Sequence, residues 1–221
     1  MKKISKVAEL VYNALLEKNL ENPILKGYND ISEKERELLI AKHIYKIMNC
    51  LNLDMYNDSL AQTPNRVAKM YLNEIFSGLN YENFPKITFI NNKIKSREMI
   101  IIKNILLIST CEHHFLTMHG TATIAYIPQD KIIGLSKINR IARFYCNRPQ
   151  IQERLTKQIL FVLKLLLETN NIAIIVKMEH FCIKARGVSD ANSRTITSSL
   201  KGLFKLDATV RNDFFSHENF S

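Results

Sequence analysis

Between residues 5 and 76 apolar side chains recur every three or four positions: Val7, Leu10, Val11 and Leu15, then Leu38, Leu39, Ile44 and Ile47. That is the helical period, so the first third of the chain reads as helix, residues 5–18 forming an amphipathic one. Thr63-Pro64 signals another helix start, Thr as N-cap and Pro in the first turn; Val67, Met70, Tyr71 and Ile75 mark its buried face and Gly78 ends it. After Pro85 the texture changes to β-branched runs over 87–90, 99–102, 105–110, 121–126 and 131–133, which read as strands. Helical spacing returns over 136–147 and 151–168, two helices separated by Pro149, which the first cannot pass. Residues 172–180 and 195–203 are again strand-like, and 207–220 closes the chain as a short helix. Helices first, then strands, two helices and strands, make the class α+β. No internal repeat or linker divides the chain. A boundary, if drawn, falls near residue 85, between an N-terminal helical extension (1–85) and the remainder (86–221).

Composition narrows this picture without redirecting it. The 221 residues suit one domain with an accessory segment, and 46% hydrophobic and 24% charged residues with 6 Gly and 5 Pro exclude collagen-like, low-complexity and disordered chains. A net charge of +10 favours polyanionic partners, but no block of five like charges and no alternation of aromatic and basic residues points to nucleic acid. The longest apolar run, 159–167, is broken by Lys164 and is shorter than a membrane span. Lys2 and Lys3 precede no secretory apolar core, so a cytoplasmic address is expected. In that reducing compartment the four cysteines read as metal-binding, catalytic or core residues before disulfides.

Cys111-Glu112-His113-His114 packs a thiol and two imidazoles into four residues at a strand end, and His180 with Cys182 repeats the combination later. Cys111 and His114 have chelate spacing, and Cys182 would complete a three-ligand zinc with one position open for an acidified water. His113 and His180, each beside a proposed ligand, would then move protons. A closed structural site from Cys111, His114, His180 and Cys182 uses the same residues, and spacing leaves catalytic zinc, structural zinc and no metal all open.

Residues 134–140 place a helix start directly after a strand, with Ser136 as N-cap and Lys137 and Arg140 on one face, an arrangement suited to phosphate or carboxylate as well as to an ordinary solvated helix. Arg186, four residues past Cys182, offers a planar fork for phosphate oxygens. Glu153, in an otherwise ordinary polar first turn, can accept from the N1–H and N2–H2 edge of guanine. Cys50 and Cys146 read as small core residues. His43, His119 and His217 have no chemical neighbours in sequence and read as surface or packing residues.

Together these blocks resemble the GTP cyclohydrolase I family. The likeness rests on residues 63–70 (TPNRVAKM), Cys111 to His114, residues 134–141, residues 150–156 (QIQERLT) and residues 180–187 (HFCIKARG), in the family's order across nearly the whole chain. It implies a tunnelling fold, an antiparallel sheet with two helices on one face, preceded here by the N-terminal helical segment. It also implies one Zn2+ per subunit on Cys111, His114 and Cys182, with His113 and His180 as proton carriers and Ser136 near the ribose. Glu153, with Gln152 adjacent, would hold guanine; Lys137, Arg140, Arg186, Arg66 and Lys69 would receive the triphosphate. The implied reaction converts GTP and water to formate and 7,8-dihydroneopterin triphosphate, opening tetrahydrofolate biosynthesis without a redox cofactor. The implied assembly is a toroidal homodecamer with sites between subunits, and neither nucleic acid nor membrane is an expected partner. Lys201 and the 189–194 loop depart from the family pattern. The competing readings are another tunnelling-fold enzyme of purine or pterin chemistry, which would lack this zinc set, and a basic binding module with a closed zinc.

Overall fold

The computed structural model describes residues 4–25 and 31–219. Helix α1 (Lys6–Glu17) starts where the Ser5 hydroxyl accepts from the Ala8 N–H at 3.2 Å, and it buries Ala8, Val11 and Leu15. Helix α2 (Glu33–Cys50) opens on a capping box of Ser32 and Glu35. Helix α3 (Thr63–Met70) corrects the expected cap: Gln62 holds the cap position without a side-chain bond, and Thr63 already lies inside the helix. A π-turn (Tyr71–Ile75) and two 3-10 turns (Ser77–Leu79, Tyr81–Asn83) follow.

The strands are β1 (Phe89–Asn91), β2 (Ile100–Cys111), β3 (Thr117–Tyr126), β4 (Lys131–Ile133), β5 (Pro149–Gln150), β6 (Ile172–His180) and β7 (Thr195–Lys201). Five form one sheet in the order β5-β2-β3-β6-β7; β2, β3, β6 and β7 are antiparallel neighbours, and β5 adds a short parallel pairing to the end of β2. β1 and β4 pair separately. The runs at 99–102 and 105–110 are one strand, not two. Its register shifts between Ile102 and Ile105, where Asn104 takes a left-handed conformation and bends the strand without ending it.

Helices α4 (Leu135–Cys146) and α5 (Gln152–Leu167) cover one face of this sheet, the tunnelling-fold arrangement. Ile138, Ile141, Leu155, Ile159 and Leu163 meet Leu107, Ile124, Ile174 and Val176, and α1 adds its buried stripe to the same core. Gly134, not Ser136, holds the N-cap position of α4; Ser136 is an exposed residue of the first turn. Gly78 does more than interrupt a helix. A Cβ there would lie 2.0 Å from the Phe144 carbonyl oxygen, so glycine permits its close approach to the end of α4. Two short helices, α6 (Phe181–Lys184) and α7 (Leu203–Leu206), precede α8 (Ala208–Asn219). On the opposite sheet face Phe204 and Phe214 cover Ala125, Ala173 and Ile175. Cys146 is buried as expected, whereas Cys50 ends α2 exposed and is not a core residue.

The two ends of the sheet carry different elements. At one, β2 finishes on Cys111 beside β5, and Met118 lies opposite His180. At the other, Tyr126 pairs with Ile100 and Ile172. α4 begins just after β4, near this second end, and its 12 residues carry the chain about 18 Å back toward the first.

Candidate metal centre and active site

Cys111 closes β2 by donating its N–H to the Leu116 carbonyl at 2.8 Å and accepting from the Phe115 N–H at 2.9 Å, which makes a tight reversal into β3. Phe115 adopts a left-handed backbone within it. This turn carries Glu112, His113 and His114. It is braced from behind: the Glu112 N–H donates to the Gln150 carbonyl at 3.0 Å, the Glu112 carboxylate pairs with Arg154, and Arg154 Nε donates to Gln150 Oε1 at 3.1 Å. β6 passes directly into α6, which places Cys182 in that short helix next to the turn.

The Cys111 and Cys182 sulfurs are 3.7 Å apart, and these two atoms with a His114 ring nitrogen all lie within 4.8 Å of one another. Two thiolates at zinc-bond length from a tetrahedral ion stand roughly 3.8 Å apart, so the pair has the spacing that the ion requires. Two sulfurs and an imidazole nitrogen are a zinc-type donor set. Cys111 is buried, Cys182 half-buried and His114 exposed, so the cluster opens to solvent on its imidazole side. Burial and the Cys111 sulfur push the Cys182 thiol up, so a cation must displace its proton to gain the ligand.

His180 stands outside this cluster. Its Nε2 is 2.8 Å from Gln152 Oε1, and burial holds its pKa below the ordinary value against the opposing charge of Glu153. This burial favours the neutral form of the ring. His113 is exposed, its Nδ1 3.9 Å from the Cys111 sulfur. Gln152 and Glu153 open α5 at this end of the sheet, Gln152 buried and Glu153 exposed, and Arg186 is exposed just beyond α6.

The remaining sequence candidates lie elsewhere. Ser136 and Lys137 belong to the first turn of α4 and Arg140 lies midway along it, outside the cysteine cluster. Arg66 and Lys69 are exposed on α3. Tyr71 and Phe76, just past that helix, join it to the metal turn by packing on Phe115, with centroids 6.5 and 5.4 Å away. A groove of about 910 Å³ runs along β2 between Tyr71, Leu106, Ile108, Phe115 and Arg143, and the cysteine cluster lies outside it.

Three supporting groups escaped the sequence. Arg154 and Glu112 brace the metal turn across forty-two positions, a separation without local periodicity. Glu179 holds Lys184 Nζ at 2.5 Å and Arg194 Nε at 2.8 Å, clasping both sides of the segment that carries Cys182 and Arg186. Within that segment Asp190 accepts from the N–H groups of Asn192 and Ser193.

A family model described as GTP cyclohydrolase I matches residues 40–219. The chain is 67% identical over 215 residues to a protein of Buchnera aphidicola subsp. Schizaphis graminum named GTP cyclohydrolase 1, covering 97% of this chain and 99% of that one. Proteins of the same name from Yersinia enterocolitica and Escherichia coli are 55% and 54% identical over 214 residues, covering 97% of this chain and, for each, 96% of theirs. Matched in this way along nearly its whole length, the chain belongs to the GTP cyclohydrolase I family.

Proposed function

We propose that this protein is a zinc-dependent GTP cyclohydrolase I, hydrolysing GTP at purine C8 to formate and 7,8-dihydroneopterin triphosphate, the first step of tetrahydrofolate biosynthesis. The observation that carries this reading is the three-member cluster of Cys111, His114 and Cys182 with two further imidazoles beside it. One zinc per subunit, when bound there, supplies Lewis-acid chemistry and acidifies water toward neutral pH. His180, half-buried, and His113, exposed on the turn, exchange protons with the purine's imidazole-ring nitrogens as that ring opens. The Glu153 carboxylate accepts from the N1–H and N2–H2 groups of guanine, a pair of donors that adenine lacks, and Gln152 backs that side of the pocket. Arg186, Lys137, Arg140, Arg66 and Lys69 receive the triphosphate, with Ser136 near the ribose.

Ser136 and Lys137 lie in the first turn of α4, which begins near the second end of the sheet, and Arg140 lies midway along it. That separation supports a site completed between copies. β7 forms one sheet edge, and β2 is paired on its other side only at Thr110 and Cys111, which leaves two edges for neighbouring chains. We assign the toroidal homodecamer on this basis, with residues 86–221 as the catalytic part and 1–85 as its extension. No helix among the described residues is long and apolar enough to cross a membrane, and all four cysteines are free. A cytoplasmic location is part of the same proposal.

Zinc content and GTP turnover measured together test the reading. Wild type yields formate and, after oxidation, a fluorescent pterin. Cys182→Ala loses metal and turnover; His113→Ala keeps metal and loses roughly 100-fold or more in rate. A zinc-loaded wild type that leaves GTP intact overturns it.

A further inference from the structure

Gln152 is 1% exposed at the start of α5, and every polar end of its side chain is engaged. Its Nε2 lies 3.1 Å from the Val176 carbonyl, 3.0 Å from the Thr195 carbonyl and 3.1 Å from Thr197 Oγ1, while Oε1 lies 2.8 Å from His180 Nε2. The orientation of this amide follows from the chemistry of its partners. Backbone carbonyls only accept, so the NH2 group must face Val176 and Thr195; the opposite orientation would set oxygen against oxygen twice. The surrounding hydroxyls agree. Thr156 donates its one hydrogen to the Gln152 carbonyl at 2.8 Å, so in its 2.7 Å contact with Thr197 the hydrogen comes from Thr197. Thr197 is then left to accept from Gln152. With the amide fixed, its oxygen can only accept, and the hydrogen between it and His180 must sit on Nε2.

We infer that Gln152 is a positioning residue for His180: its amide oxygen fixes the ring proton on Nε2 and leaves Nδ1 as the atom that exchanges a proton during the reaction. This rests on the proton-carrying role given to His180 above. The buried side chain presents nothing to guanine, so its contribution passes through the imidazole. The support spans the fold. The amide is held by β6 through Val176 and by β7 through Thr195 and Thr197, while its backbone is anchored by Thr156 one turn along α5. An imidazole bonded to an amide that is itself held from three elements keeps its tautomer, as orienting partners do for site imidazoles generally.

The test is magic-angle-spinning NMR of the zinc-loaded full chain carrying 15N-histidine, with His180 assigned by difference against His180→Asn. Wild type shows a protonated Nε2 and a bare Nδ1. Gln152→Met, similar in volume but without the amide, shows both tautomers. Its kcat falls roughly 10- to 100-fold, while KM stays within about twofold and zinc per chain is unchanged. A protonated Nδ1 in wild type overturns the inference, and this result does not depend on the variant folding. So does a Gln152→Met protein that keeps the wild-type tautomer, or one whose loss falls on KM alone, which would put Gln152 on the guanine. A wild type without GTP turnover overturns the reaction itself, whereas the spectrum judges the tautomer independently.

Discussion

The sulfurs of Cys111 and Cys182 lie 3.7 Å apart although seventy-one positions separate them in the chain. Sheet register makes this contact: β3 follows β2 through the metal turn and pairs Met118 with His180, so the end of β2 faces the start of α6. The separation is too long for a disulfide, whose sulfurs stand about 2.05 Å apart, yet a modest side-chain movement would close it.

Chelation in air should therefore convert this pair to a disulfide, with dioxygen accepting the two electrons and two protons. Thiols counted after denaturation fall from four per chain to two, whereas zinc-loaded protein keeps all four. Cys146 does not compete, because burial pushes its thiol up to about 12 and withholds the thiolate. Cys50 is exposed and stays available to alkylation. Four thiols after chelation in air would show that the sulfurs do not approach in solution.

Much of this arrangement was legible in the sequence, and what was not has a common cause. The helical and β-branched periods located α1, α4, α5, β6 and β7 to within a few residues, because each buries one continuous stripe. The bend at Asn104 was invisible, since its left-handed backbone is set by pairing with β3. Ser136 and Thr63 look like caps by residue type, yet Gly134 and Gln62 hold those places. At the site, the three zinc-type donors followed from local spacing and family resemblance. The amide of Gln152 and the clasp of Glu179 did not, because their partners are chosen by strand register and not by sequence distance.

Arg148 gives a stability prediction of the same long-range kind. It is 0% exposed, its guanidinium 4.6 to 4.9 Å from the ring centroids of Tyr81, Phe144 and Tyr145, and it pairs with Glu21 at 2.5 Å. Glu21→Gln removes the countercharge and leaves the buried cation. The expected cost is about 3 to 5 kcal/mol, seen as a fall in melting temperature of about 10 °C, with zinc binding retained. An unchanged melting curve would mean that the pair contributes nothing net.

Glu179 sets an acid limit for the Cys182 segment. Hydrogen bonds from Lys184 and Arg194 hold its carboxyl below the usual carboxylate range, and His119 lies 3.7 Å away. An unfolded carboxylate protonates before the folded one does, so the contribution is complete above the unfolded value and is lost as pH falls through the folded one. Hydrogen-exchange protection across 181–194, corrected for intrinsic rates, should drop between about pH 6 and below about pH 4. Glu179→Gln should be weakly protected at both. Equal protection at both pH values in wild type would remove the clasp from the account.

Under the proposed function Lys137 and Arg140, in the first half of α4, receive the triphosphate while Cys182, in α6, holds the metal, and a site completed between copies would join the first two from one chain to the third from another. A variant lacking both cations loses two charge-assisted contacts, each about 1.5 to 3 kcal/mol, and with them nearly all turnover at low GTP. Cys182→Ala loses the metal. Each is inactive alone, but the two defects lie in different halves of the site. When the two variants are dissociated, mixed in equal amounts and reassembled, about one quarter of the interfaces join two intact halves. Mixed assemblies should thus recover about a quarter of wild-type turnover and a matching share of bound zinc-and-GTP sites. Were each site built within a single chain, every site in the mixture would carry one defect or the other, and mixing would restore nothing.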